Sequence, residues 1–402
     1  MSTNMNANQV NGDNKRIQKN IEDITSIEEF DFEKLDLYRG KTPDDIKQQC
    51  LQLCKDYLSG EWIQQTVDTI TVTRICGGLT NQLYYCGINE PKITSNIPHE
   101  VSIRFYGSKY FNNIDVNVDN ERLTDVIIAI TVSDNKLGPK IYGIFDKGQI
   151  QQFYRHRQFK LEEQRNPNLV DEVFRKLARI HAMDVPIKRS DWIFNDMDHS
   201  YRVLFEGDIN IREIFEQNNC EYLLKADFKT EIEWLRQLVD KSDSPIVFTH
   251  NDFRSSNLMI TDTPNETDCS IVVCDFEYSS FGYRGYDFTA IMREWGRKQL
   301  DFSVDDIPQD DSVVRPMIEI YVDECQQIFG EQYTRNPINS VDRIIREIKI
   351  FHLVYNLFGA LLTLKLDVKS QSLFANMKLQ FPEMSFKNYL ILKKKIIDMN
   401  II

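Results

Sequence analysis

The chain lacks the features that would carry it out of the cytosol or onto a charged polymer. Its start, MSTNMNANQVNGDN, has no apolar run able to serve as a secretory signal, and Ser2 stands where myristoylation requires glycine. The longest apolar tract, around Leu353–Leu366, is broken by Asn356 and Gly359 and is too short to span a bilayer. Basic residues are in deficit, 48 against 61 acidic ones, for a formal charge of -13. That balance argues against nucleic acid as the main ligand and against adsorption to anionic membrane, while a local basic cleft stays compatible with it. The eight cysteines form no C-x-x-C pair and no Cys/His ligand spacing, so free thiols in a reducing compartment are expected. No internal repeat occurs, and no linker stands out beyond the Asn-rich start. A cytoplasmic protein without stable membrane insertion is the expectation.

What the chain does have is a large apolar complement, 42% hydrophobic and 11% aromatic over 402 residues, enough to bury two lobes. The stretch Phe248 to Asp287, FTHNDFRSSNLMITDTPNETDCSIVVCDFEYSSFGYRGYD, reads as strand, loop, strand, loop. Ile246–Thr249 and Ile271–Cys274 are the apolar strands, with a polar turn over Thr261–Ser270 before the second. Asp252 and Asn257 are separated by four residues, the D-x-x-x-x-N spacing of a protein-kinase catalytic loop, and Asp275-Phe276-Glu277 falls where such an enzyme has Asp-Phe-Gly. The chemistry of phosphoryl transfer needs such a set. One carboxylate accepts the proton of the attacking hydroxyl, and an amide oxygen with a second carboxylate holds Mg²⁺ against the phosphates. Turns are rich in Asp and Asn anyway, and for any one of these residues that plain reading wins. For all three in order, each just past an apolar strand, it loses. His250 reads as a brace for the loop, because Asp252 already fills the role of base.

HNDFRSSN followed by VVCDFEYSSFGYRGYD resembles the choline/ethanolamine kinase family, and the tract Tyr278–Asp287 carries most of the likeness. The resemblance covers roughly residues 70–400. It implies an α+β, bilobal protein-kinase-like fold with a small antiparallel-sheet N-lobe and a larger, mainly helical C-lobe. The expected division is a disordered tail over 1–29, a nucleotide-binding N-lobe over 30–154, and a catalytic, amino-alcohol-binding C-lobe over 155–402. It further implies ATP and Mg²⁺ as cofactors and an amino-alcohol as substrate, and it leaves a homodimer open.

Along the N-lobe, Thr42–Leu58 is amphipathic and reads as a helix capped by Thr42 or Asp44. Two β-rich runs, Thr69–Ile75 and Gln82–Ile88, flank Cys76-Gly77-Gly78-Leu79-Thr80-Asn81, which resembles the family's nucleotide loop. In V-S-I-R, Arg104 stands where protein kinases carry lysine, and a guanidinium can grip phosphate with two parallel donors. Glu121 is the candidate helix glutamate to brace it. Tyr142–Phe145 and Gln149–Tyr154 read as a hairpin, and the kinase-like arrangement makes Gln152, Phe153 and Tyr154 the hinge that meets adenine. Beyond it the pattern turns helical: Val170–Ala182, Ile211–Val239, Tyr286–Gln299, Val314–Phe329, Val341–Leu366 and Ser385–Met399. His181 reads as a structural residue at a helix end.

A quaternary ammonium suits an aromatic cage with a carboxylate nearby. The resemblance places that cage at Tyr278, Glu294, Tyr355, Phe358 and Tyr389, with Tyr355 and Phe358 where the family has tryptophans. As plain helix residues these two rings are more often core. Arg254 departs from the neutral glutamine common in choline kinases and could clamp phosphate or repel a cation. The expected activity is therefore phosphorylation of choline, and less well of ethanolamine, giving phosphocholine for phospholipid headgroup synthesis. The alternatives are an ethanolamine kinase, an aminoglycoside-type phosphotransferase, and a catalytically silent kinase-like binding module.

Overall fold

A computed structural model describes residues 41–75, 81–92, 97–107, 118–189, 192–261, 271–297, 311–369 and 379–398. The expected tail over 1–29 and the turn Cys76–Thr80 lie outside these residues. The chain opens with α1 (Ile46–Tyr57), whose buried Cys50, Leu51 and Cys54 lie against a five-stranded antiparallel sheet. Neither Thr42 nor Asp44 caps it. Asp45 stands at the cap without a capping bond, and its carboxylate takes the amide of Gln49 instead, at 2.8 Å.

The sheet contains β1 (Ile70–Ile75), β2 (Gln82–Ile88), β3 (Glu100–Phe105), β4 (Ile141–Phe145) and β5 (Gly148–Gln152), in the order β1-β2-β3-β5-β4. Ile103 faces Tyr84 on one side and Ile150 on the other, all three buried. The two-residue period of a strand then sets Arg104 on the other face from Val101 and Ile103, toward the rest of the molecule. Helix α2 (Val118–Asp134) lies between β3 and β4. After Gln152 the chain leaves this sheet: β6 (His156–Gln158) pairs with β8 (Leu258–Thr261), which pairs with β9 (Ile271–Val273). Residues 153–155 thus carry the chain from the sheet into the helical part.

That part holds α3 (Pro167–His181), α4 (Trp192–Phe205), α5 (Ile211–Gln217), α6 (Phe228–Ser242), α7 (Arg284–Glu294), α8 (Asp311–Phe329), the short α9 (Gln332–Arg335), α10 (Val341–Lys369) and α11 (Gln380–Asp398). Strand β7 (Ile246–Thr249) matches its predicted span but pairs with β10 (Ser280–Tyr283), which was not foreseen. Likewise β9 pairs with β8, whose Leu258–Ile260 were expected in no strand and whose Thr261 was expected in the polar turn. Helix α4 was missed, while the helices expected over Ile211–Val239 are two, α5 and α6, parted by a turn that holds Asn219 in the left-handed region. Helix α10 corrects a further expectation. The window Val341–Lys365 is long and apolar enough to cross a bilayer by length and composition, because its charges lie toward one end. Within the fold 72% of an 18-residue apolar stretch of this segment is buried, as the core helix between α4, α6, α7 and α11.

Candidate active site

The site is built on one buried carboxylate. Asp287 in α7 is fully enclosed and accepts the backbone N–H groups of His250 (2.7 Å, Oδ2) and Asn251 (2.7 Å, Oδ1). It also takes Nε2–H of His181 at 3.1 Å, whose Nδ1 meets the Tyr321 hydroxyl at 3.0 Å. The loop after β7 is therefore pinned from behind at the point where it turns, and Asn251 sits at φ 66°. His250 Nδ1 accepts the Asp252 N–H (3.2 Å), so its Nε2 carries the proton donated to the Cys274 carbonyl (2.9 Å). Burial lowers its pKa, and with both nitrogens engaged on backbone the ring braces two loops. The Asn251 amide completes the link, donating to the Tyr278 carbonyl and the Ser280 hydroxyl at 2.8 and 2.9 Å.

In front of this brace lies a polar cluster. The Asn257 amide donates to the backbone carbonyl of Asp252 (2.9 Å) and to its Oδ2 (2.8 Å), which leaves Asn257 Oδ1 as an acceptor. The Cys274 N–H binds the Asn257 carbonyl at 3.0 Å, setting Asp275 next to the pair. Asp275 adopts a left-handed conformation, φ 64°. Arg104 reaches it across the cleft: Nη2 lies 3.0 Å from Asp275 Oδ1 and 3.0 Å from Glu277 Oε2. Burial opposes the guanidinium charge, but the Asp275 and Glu277 carboxylates more than offset it and raise its pKa. Glu277 also holds the Asn81 amide at 2.7 Å, while Asn81 Oδ1 accepts the Gly107 N–H at 3.1 Å. The brace of Arg104 is therefore Glu277, a partner the sequence reading missed by seeking a helix glutamate. Glu121 lies on α2, but its side chain is outside the described residues. Asp252 is half-buried. Burial pushes its pKa up to about 7, with Asp275 and Glu294 adding to the rise and Arg254 and Asn257 opposing it.

On the other side of Asp252 stands Glu294 at the end of α7. Its Oε2 accepts the Ser255 N–H at 2.9 Å, and its Oε1 lies 3.6 Å from Arg254 Nε, which itself donates to the Ser256 hydroxyl at 2.7 Å. Tyr355 stacks on Tyr286 (5.7 Å, 26°), and the Arg293 guanidinium lies over its ring at 4.7 Å. Phe358 is 7% exposed and meets Trp192 and Tyr286 edge-on, at 5.4 and 6.4 Å. Trp192 and Tyr286 are ring partners that sequence pattern does not single out, since they lie far from α10 in the chain. Tyr278 is half-buried beside the Asn251 amide. Tyr389 is placed elsewhere. It is fully buried, stacked on Phe386, with its hydroxyl 2.5 Å from Glu231, and these partners are not members of the set around Asp252. Of the five expected cage residues, then, Glu294 and Tyr355 share one polar neighbourhood, Phe358 is packed, and Tyr389 serves α11.

The hinge candidates sit where the chain crosses between the two parts. Phe153 meets Tyr85 edge-on at 4.7 Å, the Tyr154 hydroxyl donates to Gln152 Oε1 at 3.0 Å, and the Gln152 N–H binds the Lys140 carbonyl at 2.8 Å. Cys76, Gly77, Gly78, Leu79 and Thr80 are outside the described residues, and Asn81 spends its amide on Glu277 and Gly107.

The family profile described as choline/ethanolamine kinase matches residues 72–390. The chain is 33% identical over 253 residues to a choline/ethanolamine kinase of Rattus norvegicus, an alignment spanning 62% of this chain and 61% of that protein. Among solved structures it resembles a choline kinase of Cryptosporidium parvum with TM-score 0.65 and 19% identity, over 88% of this chain and 97% of that one. It also resembles an ethanolamine kinase of Plasmodium vivax with TM-score 0.61 and 20% identity, over 88% and 91%. The shared fold carries the expected antiparallel sheet followed by a mainly helical region, and it does not separate the two amines.

Proposed function

Because the chain belongs to the choline/ethanolamine kinase family, we propose that it transfers the γ-phosphoryl group of ATP to the hydroxyl of choline or ethanolamine. The observation that supports this most directly is the clustering of Asp252, Asn257 and Asp275, with Arg104 brought to them from the sheet. Asp252 orients the acceptor hydroxyl and takes its proton, a role suited to a base whose pKa lies near working pH. Arg104 supports phosphate charge. Its Nε–H is buried without a partner, a donor that fits an anionic oxygen. Asn257 Oδ1 and the free oxygen of Asp275 are the hard donors that would hold Mg²⁺. Mg²⁺ takes few protein ligands and binds largely through phosphate. Bound there, Mg²⁺ would neutralise charge on the transferring group.

Gln152, Phe153 and Tyr154 form the hinge in this reading, with the boundary between the lobes after Tyr154. We place the protein in the cytosol, where thiols such as the six free ones described persist. The silent-module alternative has against it that base and metal donors are all present. Purified protein with ATP, Mg²⁺ and either amine should give a phosphomonoester by phosphorus NMR. Asp252→Asn should slow it by roughly 10²–10⁴. Absence of product from both amines would leave the silent module as the better account. The choline preference expected from the sequence rests on a ring cage, and the rings found here are largely engaged with one another.

A further inference from the structure

Glu294 already has a cation of the chain's own beside it. Arg254 Nε stands 3.6 Å from Glu294 Oε1, close enough for ion pairing and too far for a hydrogen bond, because that N–H is given to the Ser256 hydroxyl at 2.7 Å. The other oxygen, Oε2, is used by the Ser255 N–H at 2.9 Å. Oε1 thus feels a positive charge yet accepts no hydrogen bond from it. A second guanidinium, Arg293, lies over the Tyr355 ring at 4.7 Å, tied to Asn356 Oδ1 at 3.4 Å, while Tyr286 stacks on that ring. Glu294 acts on the charge of Asp252, so an acceptor whose hydroxyl meets that base can bring its ammonium to Oε1, an open hydrogen-bond acceptor, while the Tyr355 ring offers little free aromatic face.

We infer that Arg254 sets acceptor selectivity, favouring alcohols that carry a primary ammonium over those that carry a quaternary one. The inference rests on the phosphotransferase reading above and names the acceptor class of that site. A primary ammonium brings N–H donors that Oε1 lacks, and it can approach at hydrogen-bond distance while Arg254 stays in place. A trimethylammonium has no donor, and its methyl groups hold the positive nitrogen off the carboxylate. It must compete for Glu294 by charge alone against a guanidinium built into the loop, and it finds the Tyr355 ring already engaged by a cation. Arg254 therefore acts as an intramolecular stand-in for a donorless cation, and displacing it is a cost that falls on choline more than on ethanolamine.

The test is kcat/KM for choline and for ethanolamine, at saturating ATP and Mg²⁺, in the wild type, Arg254→Gln and Arg254→Lys. The wild type should favour ethanolamine. Arg254→Gln should move the ratio toward choline by about tenfold, about 1.4 kcal/mol, chiefly through the KM of choline. Arg254→Lys keeps the charge and should hold the ratio within roughly threefold of the wild type. A wild type that prefers choline overturns the inference without any variant. So does an Arg254→Gln enzyme whose ratio is unchanged or whose only altered constant is the KM for ATP, and either result leaves the kinase reading standing. Turnover of neither amine by the wild type removes the kinase reading and this inference together.

Discussion

Asp252 is set by two opposed demands, a desolvated place for chemistry and a charge that such a place disfavours. Its pKa in the fold lies at about 7, above the ordinary 3.8, with burial the leading cause. A raised folded value means that ionising the group costs the fold nothing below the unfolded pKa, and that the full cost is present once pH passes about 7. A shift of about three units is about 4 kcal/mol, and partial exposure reduces it to about 1–2 kcal/mol. In protein free of nucleotide and metal, Asp252→Asn should therefore raise stability at pH 8 by about 1–2 kcal/mol, a gain that fades toward pH 4. Denaturant melts across that range check it, and equal stability at pH 8 would show that burial exacts no such cost. The charged neighbours acting on this group are Arg254, Asp275 and Glu294. At this scale the spacing of Asp252, Asn257 and Asp275 was legible because consecutive loop residues carry it. Glu277 was not, since its pairing with Arg104 is made by folding alone, 173 residues apart. Trp192 and Tyr286 stayed hidden for the same reason.

At the start of α7, Arg284, Gly285, Tyr286 and Asp287 of Y-R-G-Y-D answer four separate structural demands. Arg284 is 1% exposed and bonds Glu347 through Oε1 (2.6 Å) and Oε2 (3.1 Å), Asn339 Oδ1 (2.8 Å) and the Ile338 carbonyl (3.0 Å). A Cβ at Gly285 would stand 2.4 Å from the Phe351 ring, so only glycine lets α7 lie this close to α10. Tyr286 stacks on Tyr355, and Asp287 holds the catalytic loop. The tract was thus recognisable from the sequence as a pattern, while what Arg284, Gly285 and Tyr286 do depended on α10, far along the chain. Removing one partner of a buried ion pair strands the other charge, so Arg284→Met should cost about 3–5 kcal/mol. The double change Arg284→Met with Glu347→Leu should restore most of that. Thermal melts of the four members of this cycle decide it, and additive losses would mean the pair is not coupled. Element boundaries tell a similar story. The apolar run of β7 was visible at its full length, whereas β6, β8 and β10, no longer than β7, are fixed by their pairings.

At the scale of the whole molecule, buried histidines weaken the fold toward acid. His352 on α10 is buried, donates Nδ1–H to the Ile348 carbonyl at 2.8 Å, and leaves Nε2 without a partner. Burial lowers its pKa to about 3, and it lowers that of His250 as well. A depressed folded value means that the unfolded chain binds the proton first, so stability falls as pH drops below about 6.5 and goes on falling to the folded pKa. At pH 5 that interval is about 1.5 units, or about 2 kcal/mol for His352. His352→Phe should flatten the stability slope between pH 7 and 5 by about that amount in denaturant melts, and an unchanged slope would show that His352 is protonated in the fold. One feature of the site also bears on time. The amides of His250 and Asn251 lie in a loop, where backbone hydrogens ordinarily trade with water quickly, but both point at a carboxylate with no exposed surface. They can exchange only when the packing around α7 opens. The loop that carries the base therefore keeps the lifetime of the core, and its geometry persists through every turnover between one such opening and the next.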